Sequence, residues 1–142
     1  MIKMIACGKL KEKWMKEGIA EYIKRIRPYD KIEVIEVLDE KAPETNSAAE
    51  NEQVKIVEGQ RLLKNVRDDE YLILLDLAGQ DIDSVALANK IQDCYNHARS
   101  RITFVIGGSL GLSSELIARA DFRWRISKAT FPHQLCRILV VE

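Results

Sequence analysis

Residues 71–108 read YLILLDLAGQDIDSVALANKIQDCYNHARSRITFVIGG. Tyr71 to Leu77 is an apolar run broken by one acid, Asp76, and the Ala78-Gly79 pair is expected to turn the chain. Ser84 is the expected cap of a helix, on which Leu87, Ala88, Ile91, Tyr95 and Ala98 share one face. Ile102 to Ile106 is a second apolar run of strand length, closed by Gly107-Gly108. Strand, helix and strand in succession make a βαβ unit, with parallel strands and a right-handed crossover. Both strands are apolar without alternation, so helices must cover both faces of the sheet.

The same alternation continues outward. Ile2 to Cys7 is a short strand broken by Gly8. Lys11 to Ile26 carries Met15, Ile19, Tyr22, Ile23 and Ile26 at helical spacing, and Pro28 ends it. Ile32 to Leu38 is rich in β-branched residues and reads as a strand. DEKAPETNS, residues 39–47, is a loop containing Pro43. Ser47 can cap a helix to about Val66, with Val54, Val57, Leu62, Leu63 and Val66 inward. Downstream, Ser113 or Ser114 opens a short helix to about Ala120. Phe122 to Ile126 alternates as a strand with one covered face, which puts Arg123 and Arg125 on the same side. The last segment, 132–142, permits strand or helix; Pro132 suits a first helical turn and Thr130 could cap it. The expectation is an α/β fold, a mostly parallel sheet with helices on both faces, in a single domain spanning 1–142.

Composition narrows the classes. At 142 residues the chain can bury a core without disulfides or metals. Its 22 basic and 22 acidic residues cancel, so bulk charge does not call for a nucleic-acid partner. No apolar run approaches the roughly 18 residues of a membrane span. The N-terminus reads as a first strand rather than a signal peptide. Cys7, Cys94 and Cys136 are odd in number and far apart, which suits a reducing cytoplasm and matches no zinc spacing.

In sheets of this kind ligands sit beyond the C-terminal strand ends. That directs attention to the loops after Leu75-Asp76, Ile106 and Ile126. Asp76 could accept from a ribose or amine, or cap a neighbouring turn. IGGSLGLSSE, residues 106–115, lets backbone approach a ligand, though it carries neither the dinucleotide nor the P-loop fingerprint. In the third loop Ser127, Ala129 and Thr130 follow a strand, with Lys128, His133 and Arg137 close by. Five basic residues lie between Arg119 and Arg137 against one acid, either a solvated face or a phosphate-binding patch. Residues 39–58 hold six acids and two lysines, so the chain is polarised despite its zero total. His133 is the histidine near these loops, structural or acid–base. His97, late in a helix, reads as structural, and Cys94 and Cys136 as core.

At this point longer stretches match something specific. CGKLKEKW (7–14), EYIKRIRPYDKIEVIEV (21–37), DEKAPE (39–44), EGQRLL (58–63), LLDLAG (74–79), IGGSLGL (106–112) and SKATFPHQLCRILVVE (127–142) run nearly end to end. In these the chain resembles the RlmH family, bacterial pseudouridine N3-methyltransferases of large-subunit ribosomal RNA in the SPOUT class. The resemblance implies a small α/β domain whose C-terminal part threads a loop in a deep trefoil knot. It implies a homodimer, with S-adenosylmethionine in the knotted loops at the dimer interface. The cofactor would contact Leu75, Gly107 and the run Ile126, Ser127, Lys128, Ala129, Thr130 and Phe131, and no metal would be needed. The target would be N3 of a pseudouridine in 23S ribosomal RNA, in the large subunit or the assembled ribosome.

Family members continue past the Val-Val-Glu position into a basic, aromatic tail with a Tyr-His pair, expected to reach the target base; this sequence stops at Glu142. No catalytic residue is therefore assigned; His133, Lys128 and Arg137 are the available groups. The apolar run Leu135 to Val141 is expected to pack in the knot and against a second subunit. The alternatives are a related methyltransferase acting on transfer RNA and a non-catalytic RNA- or nucleotide-binding module.

Overall fold

Continuously apolar segments become central strands and alternating ones become edges. The computed structural model describes residues 1–41 and 47–142. Its elements are β1 (Ile2–Cys7), α1 (Lys13–Ile26), β2 (Ile32–Val37), α2 (Ala48–Leu63), β3 (Tyr71–Asp81), α3 (Ser84–Asn96), β4 (Ile102–Ile106), α4 (Ser114–Arg119), β5 (Phe122–Arg125) and α5 (His133–Val141). The strands form one sheet in the order β2-β1-β4-β3-β5, every pairing parallel. All five residues of β4 are buried, whereas the edge strands β2 and β5 alternate. Adjacent β1 and β4 send their onward connections in opposite directions, so a crevice opens between their C-terminal ends.

Two cores flank the sheet. On one face Met4, Ile73, Phe104 and Trp124 meet Ile19 of α1, Cys94 of α3 and Val141 of α5. On the other, Ile5, Leu72, Leu74 and Val105 meet Leu62 of α2 and Leu116 of α4. Helices cover both faces, as the sequence required.

Several local expectations change. β3 does not turn at Ala78-Gly79. It continues to Asp81, and its register against β5 shifts between Leu75 and Gln80. Gly79 fits there because a Cβ would stand 2.6 Å from the Arg123 carbonyl oxygen. The cap of α3 is Asp83, whose Oδ1 accepts from the Ala86 amide at 2.8 Å; Ser84 is the first helical residue. Ala98 lies past the helix at φ 61°, and the Arg99 amide reaches back to the Cys94 carbonyl at 2.8 Å, a left-handed closure. Ser47 caps α2 as expected, accepting from the Glu50 amide at 3.2 Å, and α2 stops at Leu63 rather than near Val66. Of the loop expected over 39–47, residues 42–46 lie outside the described residues. The terminal segment is a helix, α5, with Pro132 at its N-cap position and no side-chain cap from Thr130. From edge strand β5 the chain returns to lay α5 on α1, where Ile138 faces Gly18.

The N-terminal end of the sheet is closed by polar groups. Lys3 on β1 stands 2.7 Å from Glu70, and Glu70 also accepts from Thr103 on β4 at 2.6 Å. The Met1 ammonium donates to the Ser100 carbonyl at 2.9 Å and lies 3.2 Å from Asp30.

Candidate functional site

At the C-terminal end of the sheet lies a cavity of about 690 Å³. Its walls come from the ends of β3, β4 and β5, the same three loops that topology singled out. Leu75, Gly107, Ile126, Ser127, Ala129, Thr130 and Phe131 all line it. Lys128, in the middle of that run, does not. It lies near Asp81, whose carboxyl is held below the usual range chiefly by Arg125 and in smaller part by Lys128.

Short-range backbone bonding shapes each loop. Asp76 Oδ1 accepts from the Ala78 amide at 2.9 Å, so the carboxylate caps the β3 bulge while it also lines the cavity. Ser127 Oγ accepts from the Ala129 amide at 3.0 Å and folds its own loop. In the glycine loop the Gly111 amide donates to the Gly108 carbonyl at 3.2 Å, and Gly111 sits at φ +105°, where a side chain would be strained. Ser113 then caps α4, accepting from the Leu116 amide at 3.2 Å.

The run of cations is largely neutralised within the chain. Arg123 pairs with Asp76 at 3.2 Å, and Arg125 makes two hydrogen bonds to Asp81 at 2.6 and 2.7 Å. Arg119 reaches Asp121 and the carbonyls of Arg67 and Glu70. Arg137 is 1% exposed and joins α5 to Glu36 and to the Cys7 carbonyl. The expected phosphate patch is thus mostly internal bonding, because the acids come from neighbouring strands and from distant sequence.

His133 and Cys136 both face the cavity from α5. Burial pushes the His133 pKa below its ordinary value; Arg137 adds to this, while Glu58 and Asp39 oppose it. The imidazole is therefore mostly neutral near pH 7 and can accept a proton. Cys136 is half-buried on the cavity wall rather than core, and burial pushes its thiol up. Cys94 is core as expected, 7% exposed, and His97 sits at the C-cap of α3, its ring nitrogen 2.7 Å from the Asp93 carbonyl.

Sequence reading missed Glu58. This acid on α2 is 4% exposed, and one oxygen accepts from the Cys7 thiol at 3.2 Å and from the Glu40 amide at 3.1 Å. Its other oxygen is buried without a hydrogen-bond partner among the described residues. Cys7 is correspondingly pushed up to about 12, by burial first and then by Glu58. A signal was available: Val54, Glu58 and Leu62 are four residues apart, which puts an acid on the inward stripe. Among the described residues no three His, Cys, Asp or Glu groups gather as metal ligands, and no helix is long and apolar enough to cross a membrane.

The chain is similar to known proteins over nearly its whole length. A family model described as "Predicted SPOUT methyltransferase" matches residues 1–142. A protein of Alkaliphilus oremlandii named "Ribosomal RNA large subunit methyltransferase H" is 50% identical over 141 residues, covering 99% of this chain and 89% of that protein. Proteins of the same name from Carboxydothermus hydrogenoformans and Desulfitobacterium hafniense are 47% and 46% identical, covering 99% of this chain and 89% and 88% of theirs.

Proposed function

This chain belongs to the SPOUT methyltransferase family, and from that premise we propose that it methylates ribosomal RNA of the large subunit, at N3 of a pseudouridine, with S-adenosylmethionine as methyl donor. The observation that carries this reading is one cavity bounded by all three loops. Its volume of about 690 Å³ lies within the usual range for small-molecule sites. Apolar side chains and glycine backbone make most of its wall, which suits a nucleoside. Leu75, Gly107, Ile126, Ser127, Ala129, Thr130 and Phe131 would hold the donor, and Lys128 would flank it from the same loop.

The donor, when bound, supplies a methyl group activated on a sulfonium. Everything else falls to the chain. The loops fix the direction of approach, which is where most of the rate advantage of a bimolecular displacement arises. Leu75, Ile106, Leu112 and Phe131 keep water from the transfer. The ring nitrogen of a uracil-type base must lose a proton with a pKa well above neutrality. His133, neutral and facing the cavity, is the described group best suited to take it. RNA would be held by shape and phosphate contacts around the cavity rather than by an extended base code.

The return of α5 from edge strand β5 onto α1 supports a C-terminal knot. Trp14 on α1 and Leu139 on α5 are 57% and 37% exposed on helices that pack together, which supports a second copy against them. A cytoplasmic setting follows from a ribosomal substrate.

Two measurements decide the reading. Titration calorimetry should give saturable S-adenosylmethionine binding. Labelled methyl should pass to large-subunit RNA that carries pseudouridine, and not to the same RNA with uridine. Binding without transfer to subunits or ribosomes would sink the substrate assignment, and no binding at all would sink the cofactor assignment.

A further inference from the structure

Glu58 is a buried carboxylate that makes no salt bridge among the described residues. The nearby arginines are committed elsewhere: Arg61 to Glu40 and Arg137 to Glu36. Among the described residues Glu58 receives only a thiol and one amide, and its Oε1 receives nothing. A buried charge left in this state is costly, and a fold under selection for stability alone would replace it. Its position suggests what it is for. A Cβ on Gly108 would stand 2.6 Å from Oε1 and 3.0 Å from Oε2, so the carboxylate lies directly against that glycine. Gly108 itself lines the cavity. Backbone of one residue therefore separates an uncompensated negative charge from the ligand space. The field also reaches the wall at His133, whose pKa Glu58 pushes up against burial and Arg137.

We propose that Glu58 is the counter-charge for the methyl donor, acting across Gly108 to favour a sulfonium ligand over its neutral thioether product. The inference rests on the donor assignment made above and adds a cause for product release. S-adenosylmethionine and S-adenosylhomocysteine share their adenosine, carboxylate and ammonium groups. They differ by one methyl and the positive charge it brings. An anion held close in a partly desolvated site distinguishes them by charge, where contacts with the shared groups cannot. Once the methyl is transferred the attraction disappears and the product is held less tightly. Glu58 touches no reacting atom, so its role is specificity rather than catalysis.

The test compares affinities for the two ligands in the full chain by calorimetry, for the parent and for Glu58→Gln and Glu58→Met. Both substitutions keep the side-chain volume and remove the charge. Affinity for S-adenosylmethionine should fall roughly tenfold, the order that Coulomb attraction between two unit charges across a short stretch of protein gives at an effective dielectric of about 20. Affinity for S-adenosylhomocysteine should hardly change. Thermal stability should hold or rise, because a charge without a partner has been removed. The sequence holds two histidines, so the His133 ring signals can be assigned by NMR. In Glu58→Gln the His133 midpoint should move down. An unchanged affinity ratio in either folded variant overturns the proposal. A parent that binds neither ligand overturns the donor assignment, and with it this inference.

Discussion

The two ends of the sheet bury polar groups in opposite ways. At the N-terminal end Lys3, Glu70 and Thr103 form a closed set: a cation, an anion and a hydroxyl, each partnered. Burial alone would push the Glu70 carboxyl up, but hydrogen bonds from Lys3 and Thr103 outweigh it and hold the pKa below its ordinary value. At the C-terminal end Cys7, Glu58 and Arg137 form an open set, with Glu58 Oε1 and Arg137 Nε buried and unpartnered among the described residues. Lys3 and Cys7 stand on the same strand, β1. A closed set contributes to folding. An open set is tolerated where a ligand, not a neighbour, supplies the missing partner.

The largest effect should come from breaking the closed end. Lys3→Met leaves Glu70, fully buried, without its cation, and should cost about 3–5 kcal/mol in urea unfolding. Affinity for S-adenosylmethionine in the folded fraction should stay within about twofold of the parent. A large loss of affinity at unchanged stability would reverse the roles assigned to the two ends. The same pair sets an acid limit. A carboxyl with a depressed folded pKa contributes stability that is present above its ordinary 4.5 and lost as pH falls through the folded value. The parent should therefore destabilise more steeply below pH 4.5 than a Lys3→Met, Glu70→Gln double variant.

A smaller effect on folding, and a larger one on binding, is expected at the open end. In Gly107→Val the first atom beyond Cα would stand 2.6 Å from Leu112 Cδ2, so the Leu112 side chain must give way and the valine branches occupy cavity wall now open to a ligand. S-adenosylmethionine binding should weaken at least tenfold while the urea midpoint moves little. Calorimetry finding parent affinity in a folded variant would remove the loop from the site.

The same contrast separates what the sequence discloses from what it hides. The strand–helix alternation was legible because burial imprints a period on each segment, and the three loops that bound the cavity were among the C-terminal strand ends to which a parallel sheet directs attention. What escaped depends on partners far along the chain. The β3 bulge read as a turn because Ala78-Gly79 is turn-like locally, and its pairing with β5 is tertiary. Asp83 and Ser84 are both good caps one residue apart, so local propensity could not choose. The arginines of β5 looked like a free patch because charges were counted along the chain, whereas Asp76 and Asp81 meet them across strands. The unpartnered state of Glu58 has no local signature at all.

Those arginine pairs allow the sharpest form of the comparison, because they are closed sets at the open end. If closure decides function, they contribute little to RNA binding despite their place beside the cavity. If location decides, they contribute much. Counterion release converts the question into a slope: for each phosphate the protein no longer neutralises, the salt dependence of affinity flattens by about one. Arg123 and Arg125 are already held by carboxylates, so turning to phosphate would require breaking those pairs. An Arg123→Ala, Arg125→Ala double variant should therefore change the slope for large-subunit RNA by less than one. Lys128→Ala should change it by about one, since that ammonium makes no ion pair among the described residues. Affinity for S-adenosylmethionine should hold in Lys128→Ala, because that side chain does not line the cavity and a phosphate contact positions RNA without touching the donor. A filter-binding series over several salt concentrations reads all three proteins together. A slope that falls by two in the double variant would mean that Asp76 and Asp81 release their arginines to RNA, making the pairs a reserve of phosphate ligands rather than a closed set.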